Sequence, residues 1–332
     1  MKKHLITAIR ILITVLALGL IIWFVDWKDT PEHDGILTVL KKADRMTLVG
    51  AFLLLMPVYG IQTMRWWMLM RCRGITVPMH RAFRLLMVGC FFNYTMPGST
   101  GGDVVKAYYA AAKSERRADA VMSVIFDRIA GLLGLILLAG VAGLFMLDHP
   151  IAREVTLYIW LSAAGIVLVS AIYFSKRLRN STGLEAMLAK LPDKGMVSQL
   201  DQASVAYRDH KMIVLLAMFM SVPVHILTSS SIALSGYAIG VEESFGVMLT
   251  VVPVISLGGA IPISYQGLGI MEAIGKALIK GGNTNQIVIM LMLVRFYMVT
   301  YSLLGGLFLM RGDIHLHPKE FEQEESQIPE VE

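Results

Sequence analysis

The chain has 332 residues, a hydrophobic fraction of 55% and a mean hydropathy of +0.62. These values exclude an ordinary soluble domain of this length and indicate a membrane protein. The formal net charge of +5 would suit nucleic-acid binding, but the basic residues lie at the ends of apolar segments, so no nucleic-acid partner is expected.

The apolar segments, in chain order, give the predicted spans. Two shorter apolar runs, 85–97 and 245–263, each end at a glycine-rich break. The first long run is followed by no small-residue cleavage site, so it is predicted to be an uncleaved anchor rather than a signal peptide. Six runs are long enough to cross a bilayer as helices, namely residues 11–25, 48–70, 121–147, 155–174, 213–240 and 287–310.

The two glycine-rich breaks, at residues 97–103 and 262–269, interrupt otherwise lipid-soluble sequence. Non-helical backbone leaves N–H and C=O groups unpaired, and hydrocarbon tolerates this only where the backbone is buried in protein or lines a cavity. A matched pair of breaks in the two halves of a membrane protein indicates a transport site at a repeat interface.

The distribution of Lys and Arg predicts the orientation. With the N-terminus inside and both broken segments re-entrant, 20 basic residues (Lys106 among them) lie on the cytoplasmic side, 7 lie outside and 3 lie within spans. A full crossing by residues 85–97 would instead turn the basic 176–211 loop outward. The predicted fold is therefore an all-α polytopic membrane protein of the prokaryotic plasma (inner) membrane. It has about six full spans and two re-entrant helical hairpins, eight hydrophobic segments in all, with both termini cytoplasmic.

Three features recur at a nearly constant offset and predict an inverted-topology repeat. The halves are residues 46–147 and 211–311 of a single transmembrane domain (1–311), followed by an acidic cytoplasmic tail at 312–332. The match is incomplete, because Arg65 aligns with Ser231 and Asp103 aligns with Leu268. The recurring pairs are Pro57 and Pro223 at 166 residues apart, Pro97 and Pro262 at 165, and Arg128 and Arg295 at 167.

Charged residues inside the apolar runs are the first candidates for function. Asp127, Arg128 and Arg295 lie within predicted spans, where a charge costs about 3 kcal/mol and usually pairs or faces a wet cavity. Arginine stays charged and offers five donors in a fixed fork, which suits a phosphate diester. Alternatively, Arg128 lies close enough to the cytoplasmic end of its helix to snorkel.

The residues of the breaks are the second group. In the first break the glycines permit a sharp turn and close approach to a ligand, and Asp103 caps the next helix, whose N–H groups suit an anion. A helix cap without a ligand is the alternative. In the second break Glu272 is either a capping acid or a proton or cation site. The predicted substrate-binding residues are Asn93, Pro97, Gly101, Gly102, Asp103, Lys106, Asp127, Arg128, Pro262, Tyr265, Gln266, Gly267, Gly269, Glu272 and Arg295.

No enzyme signature is recognisable. Gly-Ser-Thr-Gly-Gly lacks the Gly-Lys-Ser/Thr ending of a phosphate-binding loop, and neither a nucleophile elbow nor a zinc-ligand spacing is present. The two cysteines, Cys72 and Cys90, do not form a disulfide or metal pattern. The chain is therefore expected not to be an enzyme and to have no catalytic residues, metal or cofactor.

Two motifs carry a family resemblance. The stretch from Asn93 to Lys106 (Asn-Tyr-Thr-Met-Pro-Gly-Ser-Thr-Gly-Gly-Asp-Val-Val-Lys) precedes Phe-Asp-Arg-Ile-Ala-Gly at 126–131, and a Pro…Gly-Leu-Gly…Glu run occupies 262–272. Together they resemble the lysylphosphatidylglycerol synthetase transmembrane-region family, a flippase-like family. The resemblance implies weight for Gly101, Gly102, Asp103, Arg128, Gly267, Gly269 and Glu272.

The resemblance also implies a class of function. In that family the membrane region is associated with flipping aminoacylated phosphatidylglycerol, and other members are linked to polyprenyl or dolichyl glycolipid pathways. Asp127 stands where the family often has Glu, and Gln266 replaces a frequent Gly. No aminoacyl-transferase domain accompanies the motifs in this sequence, so translocation rather than aminoacyl-lipid synthesis is implied.

Three functions stay open from the sequence. The first is a translocase that moves an anionic or amino-modified phospholipid or glycolipid between leaflets. The second is a membrane-embedded enzyme, or an accessory subunit, of a polyprenyl-phosphate glycolipid pathway. The third is a small-solute or ion carrier with the same repeat plan. The expected partners are a membrane lipid and a lipid-modifying enzyme, and the sequence does not indicate an oligomeric state.

Overall fold

A computed structural model describes residues 28, 29, 34–95, 101–112, 116–183, 187, 196–260 and 264–310. Over these residues the chain is helical and contains no β-strand. The predicted anchor at 11–25, the two break prolines Pro97 and Pro262, and the acidic tail at 312–332 lie outside the described residues.

Thirteen α-helices are described, and two short 3₁₀ segments, Tyr207–His210 and Tyr265–Gly267, connect some of them. The helices are α1 Ile36–Lys42, α2 Arg45–Leu53, α3 Met56–Arg71, α4 Met79–Thr95, α5 Gly101–Ala112, α6 Arg117–Leu144, α7 Pro150–Phe174, α8 Lys176–Ser181, α9 Met196–Ala206, α10 Lys211–Tyr237, α11 Phe245–Ala260, α12 Ile270–Leu278 and α13 Thr284–Met310.

Five segments of the described chain are long and apolar enough to cross a membrane, and they overlap the five predicted spans that lie in the described part. The prediction of an all-α protein with several membrane spans is confirmed. The apolar helix at 245–259 is shorter than the others, as expected from its run. The five segments are Arg45–Arg71, Arg117–Leu144, Pro150–Phe174, Ser198–Tyr237 and Thr284–Met310.

The two prolines of the proposed repeat act differently. Pro57 lies in the first turn of α3, and the span is interrupted just before it at Leu54 and Leu55. A proline has no N–H and disfavours helical backbone in the residue before it, so a new helix starts there. Pro223 instead lies inside the continuous helix α10.

Two opposite ends of the helix bundle can be recognised from loop contacts. At the basic end, Arg73 forms a 2.8 Å ion pair with Asp119, Arg116 donates to the Arg73 carbonyl, and Tyr207 donates to the Leu69 carbonyl at 3.0 Å. At the other end, which we call the acidic-loop end, the Glu243 carboxylate accepts from the backbone N–H of Lys280. The basic end therefore gathers the loops after α3, α5 and α7.

Two antiparallel helix pairs open at opposite ends of this bundle. The first hairpin, α4 with α5, has its open end at the basic end, where Arg81 and Arg116 line a cavity of about 260 Å³. The second hairpin, α11 with α12, opens at the acidic-loop end, next to the contact between Glu243 and Lys280. Both hairpins point their glycine-containing turns into the bundle.

Helix α10 forms the centre of the bundle, because it packs against α2, α3, α6, α11 and α13. Its inward side carries small residues, among them the buried Ser221, Ser231 and Ser235. Small side chains let helices approach closely, and hydroxyls bond across the interface. Ser231, for example, donates to the Ala51 carbonyl at 2.7 Å.

Candidate functional site

The tips of the two hairpins meet inside the bundle. The Tyr265 hydroxyl donates to the Tyr94 carbonyl, and the Gln266 side-chain amide donates to the Asn93 carbonyl at 2.7 Å. Asn93 also accepts from the Gly102 N–H through its side-chain oxygen at 2.8 Å. Four of the predicted substrate-binding residues from both halves of the chain are thus joined at one point.

The second tip is a tight turn with unusual backbone. Gln266 has φ of +51°, Gly267 of +68° and Gly269 of +83°. Such angles are open to glycine and uncommon for a side-chain-bearing residue such as glutamine. The glutamine is retained in that conformation while its side chain bonds the first tip, and Ser264 closes the turn by donating to the Leu268 carbonyl at 2.8 Å.

The glycines approach other glycines rather than an open space. Gly102 is buried, and a Cβ built on it would collide with the backbone carbonyl of Gly89 on the other arm of the first hairpin. Gly267 is buried too, and a Cβ there would collide with the Cα of Gly259. The close approach that the sequence reserves for a ligand is taken, at these two positions, by the partner arm of the same hairpin.

Each hairpin carries an acid in the first turn after its glycine turn, and each acid pairs with an arginine of the following span. In the first half Asp103 of α5 forms an ion pair with Arg128 of α6. The Arg128 side chain is 54% exposed and the Asp103 side chain 17%. Its pairing with an acid and its distance along α6 argue for a role other than simple snorkelling.

The second pair, Glu272 of α12 with Arg295 of α13, is more deeply buried, at 6% and 14% side-chain exposure. Glu272 also accepts from the Gly269 N–H at 2.8 Å, so it caps its helix and neutralises an arginine at once. A second nitrogen of Arg295 lies 3.3 Å from the Met271 sulfur.

The two pairs occupy equivalent depths. Arg128 is 11 residues after Arg117, the first residue of α6, and Arg295 is 11 residues after Thr284, the first residue of α13. At 1.5 Å per residue, each arginine lies about 16 Å from its helix start, on helices that enter from opposite ends. By its contacts, the counterpart of Asp103 is Glu272 rather than Leu268.

A separate buried cluster braces the first hairpin. The Asp127 carboxylate accepts from Arg65 Nε at 2.8 Å and from Lys106 Nζ at 3.3 Å. Arg65 also donates to the Ser221 hydroxyl at 2.6 Å. All three charged side chains are more than nine-tenths buried. Counting Lys106 with the cytoplasmic ends of spans was therefore wrong in position, because it lies inside the bundle.

Lys106 has a further contact that the sequence did not indicate. Its ammonium group lies 4.5 Å from the centre of the Trp66 ring, a cation–π distance. Trp66 is itself fully buried and donates to the Ser123 hydroxyl at 3.1 Å. The lysine is held between a carboxylate and an aromatic face.

Sequence reasoning left Arg65 out of the candidate site. The available signal was the one used for Arg128 and Arg295, a charge inside an apolar run. Its partner Asp127 is 62 residues away, so no local motif joins them. Of the other predicted residues, Gly101 begins α5 and Gly269 precedes α12, while Pro97 and Pro262 lie outside the described residues.

Comparison with known proteins gives one family. The family described as "Lysylphosphatidylglycerol synthase TM region" matches residues 7–305. The match therefore includes both hairpins and all of the charged residues described above. No curated protein matches the chain.

Proposed function

This chain belongs to the lysylphosphatidylglycerol synthase TM-region family, and from that premise we propose that it is a lipid translocase. It moves an anionic or amino-modified phospholipid or glycolipid between the leaflets of a prokaryotic plasma membrane. In this proposal the chain is a carrier rather than an enzyme, and it works beside a lipid-modifying enzyme that supplies its substrate.

The observation that carries the proposal is the meeting of the two hairpin tips between two acid–arginine pairs. A headgroup that crosses a bilayer needs polar partners at mid-depth, where unpaired charge is costly. Hairpins that enter from opposite faces and end at one central point give such partners access from either side. The hairpins are re-entrant in this proposal, and the two halves form an inverted repeat.

The surroundings of Arg128 favour a lipid over a small solute. On the same side of α6, Ile125, Ile129 and Leu132 are exposed, and so is Val104 beside Asp103 on α5. An exposed arginine within an apolar surface matches the two parts of a lipid: the headgroup at the guanidinium and the acyl chains along the apolar side chains.

Topology gives the first prediction. Arg81 and Arg116 lie at the two ends of the first hairpin and line the same cavity, so both should face the cytoplasm. Cysteines introduced at either position, in a background without Cys72 and Cys90, should resist an impermeant thiol reagent in intact cells and react after permeabilisation. Lys280→Cys at the acidic-loop end is the control that should react in intact cells. Labelling of one hairpin end alone would mean a full crossing and would contradict re-entrance.

The arginine of the first pair gives the second prediction. Arg128→Gln should abolish movement of labelled lipid in vesicles that contain the purified protein and no nucleotide-sugar donor, while yield and elution from a sizing column stay normal. Arg128→Lys should lose most of the movement, because an ammonium cannot reproduce forked contacts with phosphate.

A matched control is Arg177→Gln, an exposed arginine on α8 at the basic end, which should move lipid at the wild-type rate. Full activity of Arg128→Gln would remove this arginine from the site. For the buried pair, the double variant Glu272→Gln with Arg295→Gln removes both charges together and should likewise fold but not move lipid. Wild-type protein that moves lipid only when the sugar donor is present would favour the membrane enzyme instead.

A further inference from the structure

The charged groups around the first hairpin tip do not balance. Three cationic side chains, those of Arg65, Lys106 and Arg128, lie with two carboxylates, those of Asp103 and Asp127. We call these five residues the first-half cluster. Asp103 and Lys106 lie on consecutive turns of α5, and Asp127 and Arg128 are neighbours on α6. Among the described residues, the cluster has one positive charge in excess.

The second half shows no such excess. Glu272 and Arg295 form a one-to-one pair. The two acid–arginine pairs are otherwise equivalent in depth and in their place after the glycine turn. The unmatched charge thus comes from the bracing contacts, where Arg65 and Lys106 share the single carboxylate of Asp127.

An unmatched charge at this depth is unfavourable, because low-dielectric surroundings solvate it poorly and the attraction to a shared carboxylate is divided. The Trp66 ring offsets part of the cost for Lys106. A single negative charge placed beside the cluster would complete the balance. An anion therefore gains at this point more than a neutral or cationic group would.

The place where an anion can reach the cluster is Arg128. Asp103 pairs with one terminal nitrogen of its guanidinium, and 54% of the side chain is exposed. Arginine has five N–H donors, so several remain for a ligand. The exposed apolar side chains of Ile125, Ile129, Leu132 and Val104 surround it, which suits an amphiphile better than a soluble anion.

We infer that the first-half cluster selects a lipid whose headgroup carries one net negative charge, a phosphodiester, over zwitterionic lipids and over cationic aminoacylated lipids. This inference rests on the proposed function and narrows its substrate. The phosphate group docks at Arg128, and the excess charge of the cluster favours it over a headgroup that carries an amine.

The experiment compares three acyl-labelled lipids in vesicles that contain the purified protein: phosphatidylglycerol, phosphatidylcholine and lysyl-phosphatidylglycerol. Phosphatidylglycerol should move about tenfold faster than phosphatidylcholine, since one charge at about 4 Å in partly hydrated surroundings exceeds the energy of a tenfold change. Lysyl-phosphatidylglycerol should be the slowest. In detergent, phosphatidylglycerol should raise the unfolding temperature more than phosphatidylcholine does, and inorganic phosphate should have little effect.

Two variants change the charge of the cluster in opposite directions. Lys106→Met removes the excess positive charge and leaves the Arg65–Asp127 pair intact, so the rate ratio of anionic to zwitterionic lipid should fall towards one. Asp103→Asn adds one positive charge, so the ratio should rise. Lys211→Met changes an exposed lysine at the start of α10 and should leave the ratio unchanged.

A wild-type ratio near one, or an unchanged ratio in Lys106→Met, would overturn the inference. Equal stabilisation by inorganic phosphate would overturn the lipid assignment and indicate a site for a soluble anion. If no lipid moves but phosphatidylglycerol still stabilises the protein preferentially, the proposed translocation fails and the headgroup preference stands. The two hypotheses are therefore separable in one set of measurements.

Discussion

Asp127→Asn should destabilise the protein severely, by about 3–5 kcal/mol, which is the usual cost of breaking a buried ion pair by removing one partner. The asparagine leaves both Arg65 and Lys106 without a counter-charge, although their side chains are 6% and 7% exposed. The measurement is the unfolding temperature of the purified protein in detergent, together with the yield of folded protein. We expect a large fall in both.

Asp103→Asn is the matched control, because it removes a carboxylate one helix away from a pair whose arginine is half exposed. Exposed pairs contribute about 0–1 kcal/mol, so this variant should unfold close to the wild-type temperature. Lys106→Met should also be mild, since Arg65 and Asp127 remain paired. Equal stability of the Asp127 and Asp103 variants would show that the cluster does not brace the first hairpin.

Gly102→Ala should have the second large effect. The added methyl group would meet the backbone oxygen of Gly89, and no side chain there can move aside. The two arms of the first hairpin would have to separate. Overpacking of this kind usually costs about 1–3 kcal/mol and displaces backbone. The displacement would also move Asn93, which holds Gly102 on one side and Gln266 on the other.

Folding and lipid movement should therefore fall together in Gly102→Ala. The measurements are the unfolding temperature and the rate of lipid movement in vesicles. Gly165→Ala is the control, because α7 leaves open space around that position and alanine favours a helix over glycine; both readouts should stay at or above wild type. Loss of lipid movement at full stability in Gly102→Ala would instead mean that bare backbone at this position touches the headgroup.

The charge clusters show where reasoning from the sequence stops. Asp127 and Arg128 are neighbours in sequence and were predicted as one unit. In the structure they belong to different networks: Asp127 is buried with Arg65 and Lys106, and Arg128 pairs outward with Asp103. Successive residues on a helix point about 100° apart, so adjacent charges reach different neighbours.

The class of the protein and the location of its membrane segments follow from the sequence by itself. Hydropathy is a property of consecutive residues, and a helix that spans hydrocarbon must satisfy its backbone within its own segment. Five of the predicted spans, the shorter apolar helix and the glycine turn at 267–269 could therefore be located without a structure. The intramembrane arginines were visible for the same reason, because a charge stands out against an apolar run.

The partners of those charges were decided by the tertiary structure alone. Arg65 finds Asp127 across 62 residues, and Gln266 finds Asn93 across 173 residues. Such contacts depend on which helices pack together and at what rotation, and in a bilayer every span presents a similar apolar exterior to its neighbours. The pattern along the chain therefore could not state that two hairpin tips meet, nor that Asp127 serves two cations while Glu272 serves one.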